Sequence, residues 1–447
     1  MCVSSKINDS AVTLHFPEKQ PFALIAGRAL YPSELFHHLS QTTAIMSESD
    51  GDILLLCKGR YEFSLALLAA WLLQKNTILP PNLHPATLNR IKDRHSITLE
   101  LNDGFTHTFS PITLARKLPL YTCSFNLHQQ AITLYTSGST GEPKPVHKTV
   151  GNLFSETMAL KHAIPWPNSP LTASVPPNHL YGLTFSILLP WVLGVPVVDE
   201  CPLHGDEVAT TMQQVNGQIL ITVPAHLGAL LEQSSINPSI LVISSAGALS
   251  PELATQWQQQ YQQEIVEIYG SSETGIIAYR KQLHNPVWIT FDSVQISCND
   301  EGLLQVNSPF IHHHESLPFQ SQDIVSLQNS SGFYLQGRAD SIVKIAGKRI
   351  SLTTVENALK QCLGVLDAAV VAVPVAGHIR DMALWAIIAT GSDSQLTVRD
   401  LRQQLLSLLE GIKIPRRMIL VEQLPHESSG KLRRQSLMKL FQKEGRA

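Results

Sequence analysis

Short apolar runs alternate along this chain with longer stretches in which apolar residues recur every three or four positions. Residues 53–57 form one such run, and 63–73 follow as a helix that is apolar on most faces. Residues 131–135, 171–175, 218–223, 240–243 and 265–269 read as further strands. Several end in Gly, Pro or Ser and lead into a helical segment such as 251–263. Strand–loop–helix repetition predicts an α/β protein whose parallel sheets are covered by helices. Between 287 and 325 the apolar pieces shorten and are punctuated by Gly302, Pro309 and Pro318, which predicts a β-rich, antiparallel portion. The C-terminal part has a pattern of its own, with helices at 353–362 and 397–409 and strands at 368–373 and 382–389. A small α+β domain is therefore expected after a strand at 333–336. The predicted domains are residues 1–337 and 338–447.

Composition narrows the class. The 447 residues exceed what one core usually serves, since domains run roughly 100–200 residues. With 44% hydrophobic and 15% charged residues, the chain is not of the disordered type. The 33 Lys and Arg against 36 Asp and Glu give a net charge of −3, so no basic excess drives nucleic-acid or membrane-surface binding. Cys2, Cys57, Cys123, Cys201, Cys298 and Cys362 contain no CxxC pair, which fits reduced cytoplasmic thiols better than a disulfide framework or a zinc cluster. The first sixteen residues hold no apolar signal core. The most apolar run, 184–198, is interrupted by Pro190 and Pro196 and is shorter than the roughly 18 residues of a spanning helix. A cytoplasmic protein with no integral membrane segment and no nucleic-acid partner is expected.

One segment stands out chemically: Tyr135-Thr136-Ser137-Gly138-Ser139-Thr140-Gly141-Glu142-Pro143-Lys144. Its glycines let backbone N–H groups approach phosphate oxygens, its hydroxyls add donors, and the lysine adds a point charge. It is not a Walker loop, because Pro143 rather than Gly precedes Lys144 and no Ser or Thr follows it. A plain Ser/Gly surface loop fits the same residues taken alone. Further along come Ile268-Tyr269-Gly270-Ser271-Ser272-Glu273-Thr274, then Ser321-Gln322-Asp323, then Gly337-Arg338-Ala339-Asp340. Lys344-Ile345-Ala346-Gly347-Lys348-Arg349 and Ser429-Gly430-Lys431 complete the order.

In this order and at these separations the chain resembles the adenylate-forming superfamily of acyl- and aryl-CoA synthetases, adenylation domains and luciferases. The resemblance implies an ATP-dependent acid–thiol ligase with a large N-terminal domain and a small mobile C-terminal lid. It makes Thr136, Ser137, Gly138, Ser139, Thr140, Gly141 and Lys144 the loop around the ATP phosphates. Tyr269 is then the aromatic against adenine, Ser272 a phosphate contact, Glu273 the Mg²⁺ carboxylate, Asp323 the ribose acceptor and Arg338 its neighbour. Ala246 and Gly247 line the nucleotide site; Ser245, His179, Tyr181, Gly182, Gly270 and Ser271 line the acid pocket. Lys431 closes over the reacting carboxylate, Asp340 is the hinge, and Lys344, Gly347 and Lys348 line the passage for a coenzyme A or carrier-protein thiol.

The departures are Pro145 where the family has Gly, Gln322 where it has Gly, Ser272 where it has Thr, and a short region ahead of the phosphate loop. No acidic residue occurs in 176–186, where amino-acid-activating relatives bind an ammonium group, so amino acids are disfavoured. An aromatic acid loaded onto an acyl carrier protein or coenzyme A is expected. A fatty or short-chain acyl-CoA synthetase is the alternative, and a non-catalytic nucleotide-binding homologue a second. His312-His313-His314-Glu315 reads as a loop, because neighbouring positions on a strand point to opposite faces and three such histidines would not share an ion.

Overall fold

The helix expected at 63–73 is Arg60–Leu72, and its buried positions go nearly all the way round. It lies against Tyr121–Asn126 of one sheet and Val197–Val198 of another. Trp71 meets the rings of Phe125, Trp191 and Phe154 at 5.7, 6.0 and 6.3 Å. Arg60 begins the helix although it is only 1% exposed. Its guanidinium donates to the carbonyls of Ala173 (2.7 Å), Val175 (2.9 Å) and Glu200 and to Ser186 Oγ (2.9 Å). A buried arginine is tolerated when its donors are met in this way.

The computed structural model describes residues 6–7, 10–110, 121–137, 143–231, 236, 240–339, 342–345, 348–374, 382–391, 394–425 and 437–441. Thr136, Ser137, Lys344 and Lys348 are described by backbone alone. Two compact units result: one of Met1–Ile296, Val306–Phe319 and Asn329–Gly332, the other of Ser297–Gln305, Gln320–Gln328 and Phe333–Ala447.

In the first unit, a five-stranded sheet has the order Pro143–Thr149, Gln130–Ser137, Thr77–Leu79, Asp52–Leu55, Ile97–Leu101. All its pairs are parallel except the first. A second sheet sets Leu171–Ala173, Ile219–Thr222, Leu241–Ser244 and Ile265–Ser271 parallel in that order. Gly275–Lys281 and Asn285–Thr290 then continue it antiparallel. The expected parallel sheets with helical cover are present. The apolar run 184–198 lies within and just beyond the buried helical stretch Leu180–Leu193, which opens into a π turn over Thr184–Leu188. Pro190 lacks the N–H for its i−4 bond, which accounts for the opening there.

In the second unit, Asp367–Pro374, Met382–Ala389 and Arg417–Val421 form a sheet flanked by the helices Leu352–Lys360 and Val398–Leu408. Val355, Leu359, Leu384, Ile388, Leu401 and Leu405 make the core on one face, and Val371, Ile387, Ile419 and Phe441 that on the other. The glutamine-rich helix Pro251–Tyr261 in the first unit buries Trp257 and Tyr261 and exposes Gln258, Gln259 and Gln260. Among the described residues, no helix is long and apolar enough to cross a membrane.

Candidate active site

The strand Gln130–Ser137 turns back as Pro143–Thr149, with Thr136 opposite Lys144 and Tyr135 opposite Pro145. Pro143–Thr149 is the edge of its sheet, where proline costs no ladder bond on the open side. That accommodates the Pro145 departure. Lys144 is exposed near the end of this hairpin where its two strands are joined. Gly138, Ser139, Thr140 and Gly141 lie outside the described residues, as do Asp340, Gly347 and Lys431.

The second hairpin, Ile265–Ser271 with Gly275–Lys281, pairs Gly270 with Ile276 and Ser271 with Gly275. A Cβ on Gly270 would lie 2.3 Å from the Gly275 carbonyl oxygen, so only glycine allows the strands this close. Ser271 and Thr274 brace the turn: each backbone N–H donates to the other's hydroxyl at 3.2 Å, and the hydroxyls are 3.0 Å apart. This holds Ser272 and Glu273, both half-exposed, at the tip. Ser271 was expected in the acid pocket; its hydroxyl is engaged by Thr274. Thr274 was missed, although a Ser and a Thr three apart in a turn region signal this reciprocal bonding. Tyr269 is half-buried with its ring 5.4 Å from Trp288, and the Arg280 guanidinium covers Trp288 at 4.3 Å while bonding Glu267 at 2.7 Å.

Expected acid-pocket residues gather at the C-terminal ends of the parallel strands, where open α/β sheets bind ligands. Tyr181 Oη donates to the carbonyls of Thr222 (2.9 Å) and Ile243 (3.2 Å), and its ring packs edge-on against Phe185 at 4.9 Å. Burial holds this phenol far above its ordinary pKa, so it works as a fixed ring and not as an acid. Ser245 Oγ donates to the Ile268 carbonyl at 2.8 Å. Ala246 adopts φ +65°, a strained value for a residue with a Cβ. His179 precedes the first turn of the helix, and its carbonyl accepts from Leu183 N–H at 2.8 Å.

Unforeseen beside these are Ser174, Thr222 and His226. Ser174 Oγ lies 2.8 Å from Thr222 Oγ1 and 2.9 Å from His226 Nδ1. A Cβ on Gly182 would fall 1.9 Å from the Pro176 carbonyl oxygen. Gly182→Ala is expected to cost about 3 kcal/mol or more, at the upper end for overpacking; a thermal melt within 1 °C of the parent would contradict this.

In the second unit, Arg338 Nη1 bonds Asp323 Oδ1 at 3.3 Å, as the pairing of these two residues requires. Ser321 Oγ accepts from the Asp323 N–H at 3.0 Å, and Gln322 points outward, exposed. The serine thus supplies a hydroxyl to this turn, and the Gln322 side chain stays clear of the Asp323–Arg338 pair.

The test for Mg²⁺ is the donor set. Glu273 offers an all-oxygen carboxylate, half-exposed on a braced turn, which fits a hard cation shared with phosphate oxygens. Its carbonyl accepts from Lys148 Nζ at 2.8 Å. Burial presses the Lys148 ammonium pKa down and the Glu156 carboxyl pKa up, each partly offset by the other. The triple histidine lies in a turn, as expected, yet the argument from strand geometry does not hold there: the rings converge, 4.2–4.8 Å apart. His312 Nδ1 accepts from His314 N–H, and burial, the neighbouring imidazoles and Lys148 push His312 down to about 4.

Comparison with known proteins agrees with this geometry. Residues 76–296 match the AMP-binding enzyme family and residues 354–431 the AMP-binding enzyme C-terminal domain. A 4-coumarate–CoA ligase of Halorhodospira halophila is 25% identical over 306 residues, covering 68% of this chain and 75% of that protein. A 2-succinylbenzoate–CoA ligase of Listeria monocytogenes is 25% identical over 339 residues, covering 70% and 71%. The fold matches o-succinylbenzoate CoA synthetase of Bacillus subtilis in complex with its acyl-adenylate, with a TM-score of 0.77, 20% identity and 94% and 95% of the two chains covered. It also matches ATP-bound MatB of Rhodopseudomonas palustris, with a TM-score of 0.76, 17% identity and 95% and 96% covered. This chain belongs to the AMP-binding enzymes of the adenylate-forming superfamily and is an AMP-forming acid–thiol ligase.

Proposed function

We propose that the chain activates an aromatic carboxylic acid as its acyl-adenylate and passes the acyl group to the phosphopantetheine thiol of coenzyme A or of an acyl carrier protein. The observation that carries this reading is the cluster at the ends of the parallel strands, where the half-buried Tyr181 ring packs edge-on against the buried Phe185 and residues 176–186 contain no acid. Names of relatives point the same way, since two of them act on 4-coumarate and 2-succinylbenzoate. A reduced, cytoplasmic setting fits the free, buried Cys57, Cys123 and Cys362.

A carboxylate is a poor acyl donor. Its oxygen attacks the α-phosphorus of ATP, the bond to the bridging oxygen breaks, and pyrophosphate leaves with the electron pair. Catalysis of such a step is positioning plus electrostatic stabilisation. Lys144 and the loop 136–141 take the charge of the departing pyrophosphate, and Tyr269 and Ser272 contact the nucleotide. Asp323 accepts from the ribose hydroxyls beside Arg338. Glu273 holds Mg²⁺, which supplies charge neutralisation on the phosphates. Lys431 bridges the incoming carboxylate and the α-phosphate. For the second step, residues 338–447 turn about Asp340, withdrawing Lys431, and Lys344, Gly347 and Lys348 border the path of the thiol. The thiolate attacks the acyl carbon and AMP departs.

Acid-dependent ATP–pyrophosphate exchange over hydroxybenzoates, cinnamates, fatty acids and amino acids tests this reading. Exchange with one aromatic class is expected. Exchange with fatty acids alone would transfer the assignment to an acyl-CoA synthetase of aliphatic acids.

A further inference from the structure

Lys148, Asn152 and Glu156 are spaced four apart, from the end of the strand Pro143–Thr149 through the first two turns of the helix Val150–Ala163. All three bond the backbone of distant segments. Lys148 Nζ donates to the carbonyls of Glu273 at 2.8 Å and Phe310 at 2.7 Å. Asn152 Nδ2 donates to the carbonyls of Pro309 at 2.8 Å and Ile311 at 3.1 Å. Glu156 Oε1 accepts from the Ile276 N–H at 3.2 Å, and the same carboxylate lies against Gly275. Segment 273–276 is therefore gripped at both ends, by an ammonium on the carbonyl of 273 and by a carboxylate on the N–H of 276.

Both charges are buried, Lys148 at 0% and Glu156 at 2% exposure. Buried charge is an inefficient way to stabilise a fold, since apolar residues of equal volume often do as well or better. Glu156 Oε2 in addition finds no hydrogen-bond partner among the described residues. What two opposite charges do supply is direction: they fix the height and tilt of the turn whose tip is Glu273. The strand that carries Lys148 also bears Lys144 four residues earlier, on the same face by strand parity. One rigid strand thus spans from the phosphate-loop lysine to the metal-carboxylate turn.

We propose that Lys148 and Glu156 are positioning residues that register the Glu273 turn against the strand bearing Lys144, and so set the Mg²⁺ requirement of adenylation. This rests on the reading of Glu273 as the Mg²⁺ carboxylate. Neither residue is a catalytic residue here; each acts through the backbone of 273–276.

The test compares parent, Lys148→Met, Glu156→Gln and Glu273→Ala as full-length proteins. Two readouts are taken: the extra thermal stabilisation by ATP with Mg²⁺ over ATP with EDTA, and the Mg²⁺ half-saturation of pyrophosphate exchange. For Lys148→Met the Mg²⁺-dependent part of the thermal shift should disappear. Its half-saturation should rise about tenfold or more, the scale of losing an outer partner of a metal ligand. Stabilisation by ATP in EDTA and the KM for the acid should stay within about twofold of the parent. Glu156→Gln keeps an acceptor for Ile276 N–H but loses the counter-charge, so an intermediate rise of about threefold is expected. It serves as the readout if Lys148→Met does not fold.

Unchanged Mg²⁺ half-saturation in a folded Lys148→Met, or in Glu156→Gln where that is the readout, overturns the proposal. So does an equal loss of Mg²⁺, EDTA–ATP and acid binding. If Glu273→Ala itself leaves the Mg²⁺ dependence intact, the reading of Glu273 falls, a result separate from failure of the Lys148–Glu156 grip.

Discussion

Glu273→Ala should lower acid-dependent pyrophosphate exchange by about 10²–10³, or roughly 3–4 kcal/mol of transition-state stabilisation. The carboxylate stands at the tip of a turn that it does not itself hold together. The brace is Ser271 with Thr274, and the close strand approach is at Gly270. The side chain is half-exposed, so its removal should change folding stability by no more than about 0.5 kcal/mol. A large kinetic loss with an unshifted melting curve is the expected pair of results. Exchange retained within threefold at saturating Mg²⁺ would remove Glu273 from the metal role. Glu273→Asp is a stricter probe, because it keeps the hard oxygen donor and shortens its reach by one methylene. The braced turn cannot advance to compensate, so Asp should recover only part of the loss and should raise the Mg²⁺ requirement.

What the sequence revealed follows from where its periodicities are clean. The short β-runs at 171–175, 218–223 and 240–243 contain parallel strands buried along nearly their whole length, and such strands read as apolar-rich blocks without strict alternation. The C-terminal helices at 353–362 and 397–409 were equally legible, because each is amphipathic over one core. The strand Pro143–Thr149 was not, since its Pro-Lys-Pro-Val-His-Lys-Thr hides the alternation behind two prolines that only an edge strand admits. The helix Val150–Ala163 escaped as well, because its buried face includes the polar Glu156 and Thr157 while its other side carries Met158 and Ala159 in place of a clean polar stripe. At the site, the family resemblance set Arg338 beside Asp323, and the two bond at 3.3 Å. Lys148 and Glu156 could not be singled out, because a lysine and a glutamate eight apart look like a solvated helix face until burial is known. The interactions that carry them run to backbone atoms more than a hundred residues away, and no side-chain pattern encodes those.

Lys431→Ala should separate the two half-reactions. In the first, negative charge gathers on the oxygens around phosphorus as the acid's carboxylate approaches, and two anions must be brought into contact. On the proposed reading Lys431 lies between them and supplies a point charge and donors to both, an interaction that exists fully only in the transition state. Its loss should cut pyrophosphate exchange by about 10²–10³ with little change in KM for ATP, because ATP is held by other groups. The second half-reaction breaks an anhydride already formed and makes no use of that ammonium. Acyl transfer from a chemically supplied adenylate to coenzyme A or a carrier thiol should therefore stay within about threefold of the parent. Equal loss of both steps would mean that Lys431 supports the fold of the C-terminal domain, and unchanged exchange would take it out of the reaction. On the proposed reading of Gly347 as part of the thiol passage, Gly347→Leu should give the opposite split, sparing adenylation and blocking transfer, because a side chain there would fill that passage. A matched pair of opposite losses requires the domain that bears both residues to serve the two steps in different positions, which a single fixed arrangement cannot reproduce.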